Sequence, residues 1–455
     1  MLGAVVVPRQ QPLTRAPAGV VAVAGALVAH VALAPLLHAS TSVATLHAVA
    51  TFAIGLGVAA LSRWVDPIAY AGAYLVGAEL LWRVAGARVP HEFGKYALVS
   101  IFGIGLLRLG RPRNVVLPLA YFVLLLPSIV LTVDAFGLAA ARQEVSFNLS
   151  GPLALTVSVL FFARLKLSWP SLQRLLWSAV TPIVALATIT SVSTIRSENL
   201  EFTNASNFVT SGGFGPNQVS AILGLGALFG LVLLARESSL GGRLLALPVT
   251  LWLLAQCVLT FSRGGLVNVV VALALAAAYS LREPKKASRL VAPMLAVVLL
   301  AGFVVYPRLV AFTGGALEKR FTDLTLEERD RLLAADMEAW RSSPLVGVGP
   351  GVGKEHRQLP DGRGVAAHTE FTRMLAEHGV AGAAALALLV SMVVTAYRRA
   401  GTPRARAWVL LLAGWALTEM AHGAMRVAAI PFVFGLMTGA LERTDERPDQ
   451  LAGAP

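Results

Sequence analysis

Residues 215–235 read GPNQVSAILGLGALFGLVLLA, a run of 21 residues without a charge. A helix of about 20 apolar residues spans the roughly 30 Å hydrocarbon core of a bilayer. Similar runs recur along the chain, which is 56% hydrophobic and only 14% charged. A soluble domain carries about 25% charged residues. The sequence therefore predicts an all-α, polytopic membrane protein of about 12–14 transmembrane helices.

The same pattern gives about fourteen candidate spans, of which the last two are short and form either two helices or one broken or re-entrant element. They lie near 17–37, 43–62, 67–84, 93–108, 114–134, 150–167, 174–193, 215–235, 243–262, 264–281, 289–307, 376–396, 406–424 and 427–441. Arg9 and Arg15 precede the first run, which we interpret as a span and not as a cleaved signal peptide. A single cysteine, Cys257, excludes a disulfide framework and a cysteine-based metal site.

The distribution of charge predicts the orientation. If the N-terminus is cytoplasmic, the inner loops hold 21 basic and 7 acidic residues, whereas residues 308–373 hold ten of each. The positive excess then lies on the cytoplasmic side, as the positive-inside rule expects. The high net charge of +13 thus indicates contact with membrane lipids and not with nucleic acid.

This topology divides the chain into four parts. Residues 1–307 form a transmembrane scaffold, 308–375 an extracytoplasmic catalytic loop, 376–441 the C-terminal transmembrane helices and 442–455 a cytoplasmic tail. ATP and nucleotide sugars are absent from the outer face, and the sequence contains no Walker loop or dinucleotide fingerprint. An enzyme on that face must take its driving force from its substrate or from a gradient, and we expect no cofactor and no metal site. The glycine-rich stretch 343–353 is more typical of a turn than of a phosphate loop.

The loop contains an amphipathic run, residues 324–341. Thr325 and Glu328 fit a capping box, which predicts a helix start. Arg329 falls on the apolar stripe formed by Leu326, Leu333, Met337 and Trp340. An arginine in such a stripe either snorkels, forms an internal ion pair, or presents a forked donor set to phosphate.

Two further residues could take part in chemistry. His368 precedes the helix that leads into the next span, where it could cap that helix, bind phosphate or exchange a proton. Glu370 is a weaker candidate for the same proton transfer. Arg263 stands at the outer junction of two spans and either snorkels or faces a cavity, which the adjacent Gly264 and Gly265 would allow.

Other polar residues support substrate binding or a rival function. Arg320 and Arg357 are further basic candidates in the loop, and Asn217 could either bind a sugar or cap its helix. Titratable residues within apolar runs keep a transporter or flippase as an alternative, although they could also join helices: Glu79, Glu419 and His422.

Three segments resemble the superfamily of O-antigen ligases and polymerases, which are bacterial membrane glycosyltransferases. The first is FGPNQVSA at 214–221 and the second is LTFSRGG at 259–265. The third comprises Arg329, Trp340, the stretch PLVGVGPG at 344–351, His368 and residues 375–379. Together the three segments cover residues 210–390.

The resemblance implies a metal-independent glycosyltransferase. Such enzymes take a glycan from undecaprenyl pyrophosphate at the outer face of the inner membrane and pass it to a glycolipid, another carrier-linked glycan or a protein. The resemblance also implies that Arg263, Arg329 and His368 are catalytic. Two arginines can stabilise the charge of a departing diphosphate, and His368 can orient phosphate or accept a proton. The acceptor class stays open: ligase, polymerase or protein O-oligosaccharyltransferase.

Overall fold

The computed structural model describes residues 19–109, 115–198, 200–237, 239–282, 292–294, 296–323, 327–358 and 364–441. Most of the described chain is helical, as the sequence predicts. The helices, numbered in chain order, are α1 Val20–Ala39, α2 Thr41–Leu61, α3 Asp66–Val84, α4 Phe93–Arg108, α5 Val116–Val123, α6 Ile129–Phe162, α7 Trp169–Arg196, α8 Pro216–Arg236, α9 Leu240–Leu259, α10 Arg263–Ser280, α11 Ala292–Phe312, α12 Ala316–Thr322, α13 Glu327–Ser342, α14 Glu370–Arg399, α15 Pro403–His422 and α16 Ala429–Thr438.

Nine helices of the described chain are long and apolar enough to cross a membrane: α1, α2, α6, α7, α8, α9, α10, α11 and α14. The predicted spans near 67–84, 93–108, 406–424 and 427–441 are also helical, as α3, α4, α15 and α16. These four helices are shorter or less apolar, and they lie outside the nine. The apolar pattern thus located the helices correctly.

One predicted boundary is wrong. The apolar pattern predicts spans near 114–134 and 150–167, but the structure has a short α5 followed by a 34-residue α6 that starts at Ile129. Gly137 interrupts α6 with φ 72° and ψ 159°. The polar residues 142–148 suggested a loop, yet they remain helical. Glu144 on this part of α6 forms an ion pair with Lys354 of the polar segment, so the polar face has a protein partner.

The helices pack in pairs that bring distant parts of the chain together. The most extensive contacts join α3 to α7, α10 to α15, α8 to α9, and α6 to α16. Two short parallel strands, β1 Lys166–Leu167 and β2 Ala440–Leu441, connect the end of the last helix to the middle of the chain. A core of buried residues from α3, α7, α8 and α16 runs through the bundle.

The polar segment between α11 and α14 is folded onto the bundle. It contains α12, α13 and a 3-10 turn at Val352–Glu355. The buried residues of α13 include Leu332, Asp336 and Ala339, whereas Leu333 is 37% exposed. The predicted apolar stripe through Leu333 is therefore wrong in phase. Asp336 binds partners on α14 and in the segment before it, so the side of α13 that carries Asp336 faces inward. Thr325, half of the predicted capping box, lies outside the described residues.

Candidate functional site

The first two motif segments meet at the start of α8 and α10. The Ser262 hydroxyl donates to Asn217 Oδ1 at 2.7 Å, and the Ser220 hydroxyl donates to the Ser262 carbonyl at 3.0 Å. A Cβ atom at Gly265 would overlap the backbone of Ser220, so glycine allows the two helices to touch. Gly265 thus serves helix packing. The sequence suggested that Gly265 would allow a cavity beside Arg263, whereas in the structure this glycine lies against helix α8.

The turn that precedes Arg263 is strained. Phe261 is buried and has φ 56°, a left-handed conformation that costs a non-glycine residue of the order of 1–2 kcal/mol. Its ring stacks on Phe202 with centroids 5.2 Å apart, which holds the conformation. Such strain concentrates at functional sites, where it fixes the direction of a neighbouring side chain.

Arg263 and Arg320 lie on either side of this turn. Arg263 Nη1 donates to the carbonyl of Asp323. Arg320 Nε donates to the Phe261 carbonyl at 3.1 Å, and its Nη1 donates to the Asn204 carbonyl at 2.8 Å. Both guanidinium groups are half-buried. The structure thus brings two predicted site arginines to one turn, next to the Ser262–Asn217 contact.

His368 precedes α14 by two residues and is half-buried. Thr369 is the N-cap, since its hydroxyl accepts from the Phe371 N–H at 3.2 Å, so His368 itself does not cap the helix. Arg426, in the turn between α15 and α16, donates to the carbonyls of Ala366 and Ala367 just before His368. The histidine therefore lies on a stretch of backbone that a buried arginine fixes.

Arg83 links this region to the first motif. Arg83 Nη1 donates to Gln218 Oε1 at 2.8 Å, and its Nη2 donates to the Arg426 carbonyl at 3.2 Å. Gln218 follows Asn217 directly, and Arg426 holds the backbone before His368. All three motif segments are thereby connected by hydrogen bonds at the same end of the bundle.

The side chain of Arg329 falls outside the described residues. Its backbone lies on the first turn of α13. The role assigned to this arginine therefore remains a prediction.

Arg357 and Glu370, which the sequence suggests as substrate-binding residues, have protein partners in the structure. Arg357 is 2% exposed and forms ion pairs with Asp336 and, at 3.8 Å, with Glu377. Glu370 is fully buried and binds Arg373 through both carboxylate oxygens, at 2.5 and 3.0 Å. Buried charges need such pairing because desolvation is costly. We interpret both residues as parts of a network that fixes the polar segment on α14.

The glycine-rich turn also has a structural role. The N–H groups of Val348 and Gly349 donate to the carbonyls of Ala376 and Glu377, at 2.9 and 3.0 Å. Those carbonyls are accessible because α14 is interrupted at Gly379, where φ is 58° and ψ is −136°. Val380 in turn donates to the Leu345 carbonyl at 3.2 Å. These amide groups are thus used to dock a turn, as expected for a glycine-rich turn without phosphate-loop context.

The titratable residues that suggested a transporter join helices. Asn268 on α10 donates to Glu419 on α15 at 2.7 Å, and His422 contacts the same amide at 2.8 Å. Glu79 on α3 accepts from Arg83 at 2.6 Å and from the Ala428 N–H at 2.6 Å. These contacts favour helix–helix bonding over a transport path. Among the residues that the structure describes, no group of three or more His, Cys, Asp or Glu could hold a metal ion.

Sequence reasoning missed a cluster of cations beside the site: Arg83, Lys95, Arg373 and Arg426. Partial burial and the charges of Arg83, Lys95 and Arg426 lower the pKa of His91 to about 4, so its imidazole is neutral at pH 7. Burial, together with Arg357 and Arg373, lowers the pKa of Arg426 to about 10, which leaves it charged. The one available signal was Lys95, which lies two residues inside a predicted span.

Residues 248–387 match the family model of the O-antigen ligases. This stretch is similar to an O-antigen ligase domain. A comparison with curated proteins gave no match. The ligase domain runs from within α9 to within α14 and includes Arg263, Arg320, Arg357 and His368, whereas Asn217 and Arg83 precede it. The apolar helices indicate a multi-pass membrane protein, and the matched region is similar to the O-antigen ligases.

Proposed function

We propose that this protein is a glycosyltransferase that moves a glycan from undecaprenyl pyrophosphate to an acceptor glycan or glycolipid. The observation that carries the proposal is the junction of the ligase domain with the segment at 214–221. There, Ser262 binds Asn217, and Arg83 joins Gln218 to the turn that holds the backbone before His368. We place the reaction on the outer face of the inner membrane, on the strength of the charge distribution.

The proposed reaction breaks one bond of the donor and forms one bond to the acceptor. The bond between the anomeric carbon and the diphosphate oxygen breaks, and the acceptor oxygen forms a new bond to that carbon. The diphosphate leaves with the bonding electrons, so negative charge develops on it. We assign Arg263 and Arg329 to stabilise that charge and Arg320 to support them. In this proposal no metal takes part, and the proton of the acceptor hydroxyl passes either to His368 or to the departing diphosphate.

His368 has two possible roles, which one substitution separates. As a base, it takes the proton from the acceptor hydroxyl; as a donor, it orients a phosphate oxygen. His368→Gln keeps a hydrogen-bond donor but cannot accept a proton at neutral pH. A loss of turnover as large as in His368→Ala assigns the base, whereas substantial retention of turnover assigns the orienting role.

The test of the proposal is transfer by the purified full-length protein with an undecaprenyl pyrophosphate-linked glycan and an acceptor glycolipid. We expect product in the presence of a chelator. Activity that chelator removes and a divalent ion restores would contradict the metal-free mechanism. Movement of the intact lipid-linked glycan across vesicle membranes, without transfer, would support a flippase instead. Products on glycolipid, on carrier-linked glycan and on protein distinguish the three acceptor classes.

A further inference from the structure

Lys95 is a buried cation for which the structure describes no hydrogen-bond acceptor. Its side chain is fully buried on the first turn of α4, and its Nζ has no hydrogen-bond partner among the described residues. The contact available to it is the Phe147 ring, whose centroid is 5.6 Å from Nζ. A charged ammonium in this position is costly unless an anion accompanies it.

Arg426 is a second cation of the cluster. It donates to two backbone carbonyls, and no carboxylate lies within ion-pair distance of it in the described chain. Glu370 and Glu419 act on it only from farther away. By contrast, Arg373 is paired directly with Glu370 and Glu377, at 2.5 and 2.7 Å. In the described chain, Lys95 and Arg426 therefore carry positive charge that no ion pair neutralises.

Arg83 and His91 complete the surroundings. Arg83 is held by Glu79 at 2.6 Å and also contacts the His91 carbonyl at 2.9 Å. The His91 ring stacks on Phe147, the same ring that lies under Lys95, with centroids 5.5 Å apart. His91 is exposed, so the cluster borders solvent on this side. Glu79 and Glu92 are the acids that act on Lys95, and Glu79 is already shared with Arg83 and the Ala428 N–H.

We propose that Lys95, Arg83 and Arg426 form a binding site for a phosphate or diphosphate group of a lipid-linked substrate. All three cations lie close enough to His91 to act on it, and guanidinium and ammonium groups are the donors that bind tetrahedral oxyanions. Arg83 binds Gln218 and Arg426 fixes the backbone before His368, so the site adjoins the proposed transfer site. The inference rests on the proposed function only for the source of the phosphate.

The test measures binding, without glycan transfer, by the full-length protein in lipid nanodiscs. The probes are inorganic pyrophosphate and undecaprenyl pyrophosphate without a glycan. We expect Lys95→Met to weaken binding of undecaprenyl pyrophosphate by roughly tenfold to a hundredfold, as for the loss of one charge-assisted bond. Lys95→Arg should retain most of the binding. Lys354→Met is the matched control, because Lys354 also lies over a phenylalanine ring but has Glu144 as its partner.

Thermal unfolding separates a binding residue from a structural one. If Lys95 awaits an anion, Lys95→Met should not lower the unfolding temperature of the ligand-free protein, because it removes an unpaired buried charge. Undecaprenyl pyrophosphate should raise the unfolding temperature of the wild type but not of the variant. A variant that is destabilised without ligand and binds both probes like the wild type would overturn the proposal, as would a wild type that binds neither.

The two probes also identify the source. Tighter binding of the lipid probe than of inorganic pyrophosphate, by tenfold or more, assigns a lipid headgroup; equal binding assigns soluble phosphate. Failure of the two proposals can be told apart. Binding that depends on Lys95, in a protein that transfers no glycan, leaves the anion site and removes the transferase. Glycan transfer together with binding that does not depend on Lys95 leaves the transferase and removes the anion site.

Discussion

Single side chains at the N-terminal end of α10 are oriented for the proposed reaction. Arg263 is held by the Asp323 carbonyl and follows a turn that the buried Phe261 keeps in a left-handed conformation. The guanidinium group is thus oriented before any substrate arrives. Such preorganised groups contribute most to a transition state, because no reorganisation accompanies the reaction.

We therefore expect Arg263→Ala to lower the transfer rate by about 10²–10³-fold, the range for the loss of one oxyanion donor. Arg263→Lys should restore only part of the rate, since an ammonium lacks the planar fork. The measurement is turnover with the lipid-linked glycan. Arg341→Ala, at an exposed position on α13, is the control and should match the wild type. Equal rates for Arg263→Ala and the control would remove Arg263 from the site.

His91 predicts a dependence of stability on pH. Its pKa is about 4 in the folded protein, below the ordinary value of 6.5. Between these values the unfolded chain binds a proton that the folded chain does not. Stability should therefore fall as pH falls from about 6.5 to 4.

The measurement is the unfolding temperature at pH 7 and pH 5, for the wild type and for His91→Phe, which keeps the stacking on Phe147. The wild type should lose more stability at pH 5 than the variant. An equal loss in both proteins would show that His91 does not carry this dependence.

At the scale of elements, α14 joins the site to the bundle. It begins beside His368, carries Arg373 and Glu377, and is interrupted at Gly379 so that the turn 343–353 can dock. The sequence predicted the apolar part of this helix but not the interruption. Gly379 reads as one more glycine in an apolar run, and only its partner, Leu345, explains why a left-handed residue is needed there.

Gly379→Ala should destabilise the protein by about 1–3 kcal/mol. The residue has φ 58°, and a Cβ atom would lie 2.6 Å from the Leu345 carbonyl carbon. Gly103→Ala on α4 is the matched control, since nothing lies within 4 Å of its added Cβ. That control should be neutral or slightly stabilising. The measurement is the free energy of unfolding, and a Gly379→Ala variant as stable as the control would contradict the docking role.

The Asp336–Arg357 pair connects α13 to the turn before α14. Removing one partner should cost about 3–5 kcal/mol, because it leaves an uncompensated buried charge. The double substitution Asp336→Leu with Arg357→Met should recover most of that loss. If the single and double variants are equally unstable, the pair does not act as a unit.

For the whole molecule, the sequence specified more of the fold than of the site. Apolar length and composition located nearly all helices, because a bilayer demands continuous apolar runs. The motif segments also singled out Arg263 and Asn217, and the structure brings the two segments together through the Ser262–Asn217 hydrogen bond. The cluster around Lys95 could not be found in this way, since Arg83 and Arg426 are 343 residues apart and meet only in the folded bundle.

The side of the membrane remains a prediction, and labelling tests it. In a Cys257→Ala background, we expect a membrane-impermeant thiol reagent added outside to label His91→Cys and Glu355→Cys. Arg398→Cys, at the opposite end of α14, should be labelled only after permeabilisation; all three positions are exposed. Labelling of His91→Cys and Glu355→Cys only after permeabilisation would place the site in the cytosol and end the proposed mechanism.

The strained turn at Phe261 has a consequence for the lineage of this protein. A glycine at position 261 would relax the backbone. It would also leave a cavity beside Phe202, because the Phe202 and Phe261 rings stack on each other. A smaller ring partner at 202 would release the strained turn and so misdirect Arg263. Descendants of a common ancestor should therefore keep both aromatic rings or exchange them together, and positions 202 and 261 should covary even though 58 residues separate them in the sequence.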